Sequence, residues 1–133
     1  MKYFKILFNS ANDAIILSHR DTDEIFNVNR QTEALLGYDA NEIIGMTTKS
    51  LGDEVSAEKQ KEIRDAILSG QSILFERTLT HREGHLIPCE ISLSTAESDS
   101  MPVVQAIIRD ISFRKKAEKT LVNSEKKFRN FFD

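Results

Sequence analysis

Apolar and polar positions divide the chain into blocks of different period. Tyr3 to Phe8 sets Phe4, Leu7 and Phe8 on one side of a short amphipathic helix. Asp13 to His19 is an isoleucine-containing apolar run too short for a helix, and it predicts a buried strand. Arg20 to Asp23 is made of turn formers, and Glu24 to Asn29 completes a hairpin. Asn29 has the side chain of a helix N-cap, so the next helix is predicted over Arg30–Leu36, closed by Gly37. Asp39 and Glu42 are spaced as a capping box, followed by Ile43, Ile44 and a stop at Gly45, which is room for one turn. Ser56 opens a longer helix with Ile63, Ala66 and Ile67 on one face, and Gly70 closes it.

After Gly70 the period falls to two. Ile73, Phe75 and Leu79 alternate, with Arg77 breaking the series. Glu83-Gly84 supplies a turn, and Ile87, Cys89, Ile91 and Leu93 alternate behind it. A polar loop over Glu97–Ser100 leads into a last strand, Pro102 to Asp110, and the pattern is helical from Phe113 onward. Strands and helices grouped in separate blocks predict an α+β fold, with a five-stranded antiparallel sheet and short helices on one face.

Composition adds bounds. The length suits a single domain with one core. The lone cysteine, Cys89, excludes an internal disulfide and a cysteine-based zinc cluster. No apolar run approaches the roughly 20 residues that span a bilayer, and the first residues lack the continuous apolar stretch of a signal peptide. These features predict a cytoplasmic domain without direct membrane insertion, alone or as the cytoplasmic part of a membrane-attached receptor. Charge is uneven: residues 114–133 carry seven basic and three acidic side chains, a net +4, against −7 for residues 1–113. A basic tail can meet nucleic acid or anionic lipid, but on a helix it reads as a solvated face, and no nucleic-acid partner is expected.

Residues Lys2 to Asn9 resemble Lys126 to Asp133 at an offset of 124, with Phe4 over Phe128, Lys5 over Arg129 and Phe8 over Phe132. The expected organisation is a main domain over 1–112, including an N-terminal cap helix over 1–9. A linker helix over 113–133 follows, leading to a further domain that could be a second copy.

The ordered set of motifs resembles the PAS sensory domain, over essentially the whole chain. Phe8 to Leu17 is similar to that family's opening strand. Val28-Asn29, Leu35-Leu36-Gly37-Tyr38 and Glu42-Ile-Ile-Gly45 resemble its helical half. His81-Arg-Glu-Gly84 with Ile87-Pro88-Cys89 resembles its hairpin, and Arg109-Asp110-Ile111-Ser112 its closing motif, with serine for threonine. Arg114 to Lys119 resembles the exit helix of sensor histidine kinases. One departure is Asp23, where the family usually has glycine, which implies a different first turn. The resemblance implies a sheet and helices that enclose a small-molecule cleft or a solid core. It also implies dimerisation, and relay through the exit helix to a neighbouring PAS or kinase domain of the same chain.

The chemistry that resemblance would bring is thin in this chain. Haem-binding relatives place a histidine on the long helix, and Ser56–Ser69 has none. Flavin photosensors place a cysteine after the Gly45 region, and Met46–Gly52 has none. Neither haem nor a covalent flavin is therefore expected, and no cofactor is predicted, although an unknown small ligand is compatible with the fold. His81 and His85 flank a turn, and two imidazoles alone make a poor metal site, so no metal is predicted. Cys89, on an apolar face, reads as an inert thiol. No phosphate loop, nucleophile elbow or zinc-binding motif is present, so no catalytic residues are assigned and the fragment is not expected to be an enzyme.

Ile63, Ile67, Phe75, Ile91 and Ile108 are the residues expected between helices and sheet, as core or as candidate pocket lining. Asp110 and Ser112 mark the sheet–helix junction, where Asp110 could pair with a basic neighbour and the Ser112 hydroxyl could cap the helix. Ala117, Leu121, Ser124, Phe128 and Phe131 recur at heptad-like spacing, the expected seam of a homodimer. The sequence thus points to a relay and dimerisation module of a signalling protein, foremost a two-component sensor histidine kinase. The alternative is a ligandless interaction module of a transcriptional regulator, cyclase or chemotaxis receptor.

Overall fold

The computed structural model describes residues 2–98 and 101–132. The chain runs α1 (Lys2–Ser10), β1 (Ala14–His19), β2 (Ile25–Val28), α2 (Arg30–Leu36), α3 (Ala40–Ile43), a 3-10 turn (Thr48–Leu51), α4 (Ala57–Ser69), β3 (Ile73–Thr80), β4 (Leu86–Ser98), β5 (Met101–Asp110) and α5 (Ser112–Phe132). The five strands form one antiparallel sheet in the order β2-β1-β5-β4-β3, which is the predicted α+β architecture. No helix is long and apolar enough to cross a membrane, among the residues described.

Local chemistry sets the helix ends where the sequence placed them. The Asn29 side chain accepts from the Thr32 amide, Gly37 takes the left-handed conformation, and Asp39 and Glu42 make the reciprocal capping box. The Ser56 hydroxyl accepts from the Lys59 amide at 3.2 Å. Asp23 takes the left-handed conformation that glycine adopts readily, with φ 63°. In that pose its carboxylate accepts from the Thr48 hydroxyl and, at 3.1 Å, from the Lys49 amide.

The inner face of the sheet carries Ala14 and Ile16 of β1, Ile91 of β4 and Ala106 and Ile108 of β5, all buried and paired in register. Leu36, Ile43 and Leu51 close over them from α2, α3 and the 3-10 turn. Fully buried Asn29 joins this layer to the N-terminal helix. Its Oδ1 accepts from the Ile15 amide (2.9 Å), the Thr32 amide (3.1 Å) and the Thr32 hydroxyl (2.8 Å), while its Nδ2 donates to the Phe8 and Asp13 carbonyls (2.9 and 3.0 Å).

Several expectations need correction. The polar loop drawn over Glu97–Ser100 is shorter, since β4 runs to Ser98 and β5 begins at Met101, with those two residues in register. Glu97 and Met101 are exposed there, so no apolar period marks the extension. The segment after α3 holds a 3-10 turn that has no periodic signature of its own. Arg77 does not interrupt the β3 alternation. It lies opposite Cys89 on the inward side, and its guanidinium donates to the carbonyls of Thr48 (2.9 Å), Lys49 (2.9 Å) and Asp53 (3.1 Å). Burial lowers the Arg77 pKa, opposed by the charges of Asp53 and Asp23, and the guanidinium stays charged.

Residues 45–53 thereby connect the two edges of the sheet. On one side, the Gly45 amide donates to Ile25 and the Ile25 amide to Met46, and Thr47 bridges Glu24 of the β2 entry. On the other side, Gly52 bridges Leu79 of β3 and the Asp53 amide donates to Thr78 at 3.0 Å. One strap thus caps the start of β2 and the end of β3, where it takes up edge groups that could otherwise pair with other chains.

Candidate functional site

β5 is the central strand, paired with β1 on one side and β4 on the other, and α5 starts at its end. Asp110 and Ser112 come together as the sequence suggested, with the roles exchanged. Asp110 is the acceptor, taking the Ser112 amide at 2.8 Å and the Ser112 hydroxyl at 2.5 Å. Ser112 therefore donates instead of capping, because buried Ile111 occupies the N-cap position and its carbonyl accepts from the Lys115 amide. A carboxylate at this end of a helix is also favoured by the helix dipole.

The basic neighbours expected for Asp110 pair elsewhere. Glu76 and Glu90 lie directly opposite on β3 and β4, and Glu90 is opposite Arg109 on β5. Arg109 reaches Asp13 at 3.2 Å. Two carboxylates side by side repel, and α5 supplies the compensation. Lys115 contacts Glu76 at 2.8 Å, while Arg114 spans Glu90 at 3.4 Å and Glu76 at 3.6 Å. The hydrogen bond from Lys115 holds the Glu76 carboxyl below its ordinary pKa despite some desolvation, with the Lys115 and Arg114 charges adding to it. The first turn of α5 is thus latched to the outer face of the sheet by charge. The sequence resemblance marked Arg114–Lys119 as exit helix, but their partners on strands 24 and 39 residues earlier were not visible in it.

An open cleft of about 370 Å³ lies beside this junction, lined by Gln31 and Leu35 of α2, His81 and His85 of the β3–β4 turn, and Asp110 and Ser112. None of the predicted pocket residues lines this cleft. Ile91 and Ile108 are buried in the core, and Phe75 packs against it half-buried. Ile63 and Ile67 are half-buried on α4, a helix with no buried residue. Of the predicted seam, Ala117 and Leu121 are exposed, as is Phe113 one turn earlier, whereas the side chains of Ser124, Phe128 and Phe131 lie outside the described residues.

Cys89 faces the core and is fully buried, with its pKa pushed up to about 11 by burial and then by the charge of Asp110. Native protein at pH 8 should therefore react with iodoacetamide slower than a free thiol by about a hundredfold or more, since thiolate is the reacting form. Denaturant should restore the ordinary rate. Fast labelling of the folded chain would show that this thiol is open to solvent.

The family model described as a PAS domain matches residues 12–113. The methyl sulfide methyltransferase-associated sensor of Methanosarcina acetivorans is 27% identical over 115 residues, 86% of this chain, and the match spans only 12% of that protein. The PAS domain of an HTR-like protein from Haloarcula marismortui superimposes with TM-score 0.73 at 25% identity, covering 83% of this chain and 90% of that one. A PAS domain from a two-component sensor histidine kinase gives TM-score 0.72 at 19% identity, covering 82% and 94%.

Proposed function

This chain belongs to the PAS domain family, and from that premise we propose that it is the signal-relay and dimerisation module of a multidomain protein, a two-component sensor histidine kinase. The observation that carries this reading is the ionic latch. A helix that leaves the central strand and is held to β3 and β4 by Lys115 and Arg114 moves whenever those strands shift. The module itself is non-catalytic, and output chemistry belongs to a neighbouring domain of the same chain. The exposed Phe113, Ala117 and Leu121 stripe supports pairing of two exit helices in a cytoplasmic homodimer.

The test is Lys115→Glu, which places a third carboxylate beside Glu76 and Glu90. Amide exchange over residues 112–118 should quicken, and kinase output of the parent protein should change. Glu76→Lys combined with Lys115→Glu should restore both. The latch should weaken with added salt, since the groups are exposed. Because the Glu76 pKa is depressed in the folded chain, its contribution is present at neutral pH and lost as pH falls through that lowered value. Exchange and output both unmoved by Lys115→Glu would sink the relay reading.

A further inference from the structure

We propose that His81, Glu83 and His85 form a binding site for a divalent transition-metal ion such as zinc. The β3–β4 turn is closed by the His81 amide on the His85 carbonyl (2.9 Å) and the Gly84 amide on the His81 carbonyl (2.8 Å). That closure sets residues 81 and 85 opposite each other, with ring centroids 4.2 Å apart, and carries Glu83 over the tip. One ligand atom from each residue lies within 4.8 Å of the other two. Two imidazoles and a carboxylate, with a fourth position open to water, make a donor set that suits zinc. Calcium and magnesium, which take oxygen ligands, are poorly matched to it.

The turn is held from behind, so little ordering is left for the ion to impose. The Arg82 amide donates to the Leu36 carbonyl at 2.9 Å. The Arg82 guanidinium pairs with Glu42 at 2.8 Å and lies over the Tyr38 ring, so its charge is already compensated. The His81 ring rests against Gly37, where a Cβ would fall 2.4 Å from it. His81 Nδ1 accepts from the Glu83 amide at 3.1 Å, which places its lone pair over the turn, and the ion replaces that amide. Glu83 and His85 are exposed, and a tetrahedral ion with bonds of about 2.1 Å draws them in by roughly an ångström, with His85 leaving the stack. Both histidines also line the cleft that reaches Asp110 and Ser112, so the ion would sit on a wall shared with the exit-helix junction.

The test uses the chelator-treated chain without a histidine tag, titrated with Co²⁺ and followed by its visible absorption, then displaced with Zn²⁺. One ion per chain with a four-coordinate cobalt spectrum is expected. His85→Ala, at an exposed position, should weaken binding by about a hundredfold and Glu83→Gln by about tenfold. His19→Ala should change nothing, because that ring stacks on Phe26 away from the turn. His81→Ala also removes a packed ring, so the exposed His85 variant carries the decision. Absence of saturable one-to-one binding, or an affinity unmoved by His85→Ala, would overturn the site. The readout is binding alone and does not depend on any output of the parent protein.

Discussion

Asn29→Ala is expected to destabilise the domain by about 4 kcal/mol. For a chain of this size that lowers the thermal midpoint by about 10–20 °C. The side chain is fully buried and makes five hydrogen bonds to four other residues. Truncation leaves the Ile15 amide and the Phe8 and Asp13 carbonyls without those partners in a site closed to water, and such orphaned groups cost more than the bonds themselves were worth. Loss of a helix cap alone costs about 1 kcal/mol. Asn29→Asp separates the two contributions. Aspartate is as good a cap as asparagine, so a cap-only role predicts near-neutral behaviour. As a hub, aspartate fails, because its second oxygen would face the Phe8 and Asp13 carbonyls where Nδ2 now donates. Denaturant unfolding of both variants decides, and a near-native Asn29→Asp would refute the hub.

Residue 29 also marks how far local sequence reasoning reaches. Its capping role is written in the chain, because the side chain and the amide it serves are three positions apart. The same holds for Gly37, the Asp39–Glu42 box and Ser56, and each of those ends lies where the pattern put it. The bonds from Asn29 to Phe8, Asp13 and Ile15 were invisible, since nothing in a two- or three-residue period records a partner 14 to 21 positions away. Asp110 and Ser112 were found as a pair, but which one accepts depends on where the helix starts, and buried Ile111 decides that. Arg77, like the long-range bonds of Asn29, depends on partners far along the chain. A charged residue at an inward position contradicts alternation until the carbonyls of Thr48, Lys49 and Asp53 are known to face it. The turn histidines gained a third ligand only once the hairpin placed Glu83 beside them.

The strap over the sheet edges leads to the second large effect. Gly52→Ala should cost about 3 kcal/mol, although its backbone is extended, with φ −168°, a conformation any residue adopts. Space is the constraint. A Cβ at this position would lie 2.3 Å from the Thr78 carbonyl oxygen and 2.9 Å from the Leu79 Cα. Leu79 is buried in the core, so β3 cannot retreat and the strap must lift. Lifting it breaks the Gly52–Leu79 bridge and the Asp53 amide bond to Thr78. It also draws the Asp53 carbonyl from Arg77, leaving part of a buried charge unsolvated. Gly70→Ala is the control. That residue sits at φ 74° with open space around its Cα, so alanine there costs only the left-handed conformation, about 1 kcal/mol. Urea unfolding of the two variants should rank Gly52→Ala well below Gly70→Ala. The reverse order would mean that residues 45–53 are held to β3 loosely and that the cover over that edge is not part of the core.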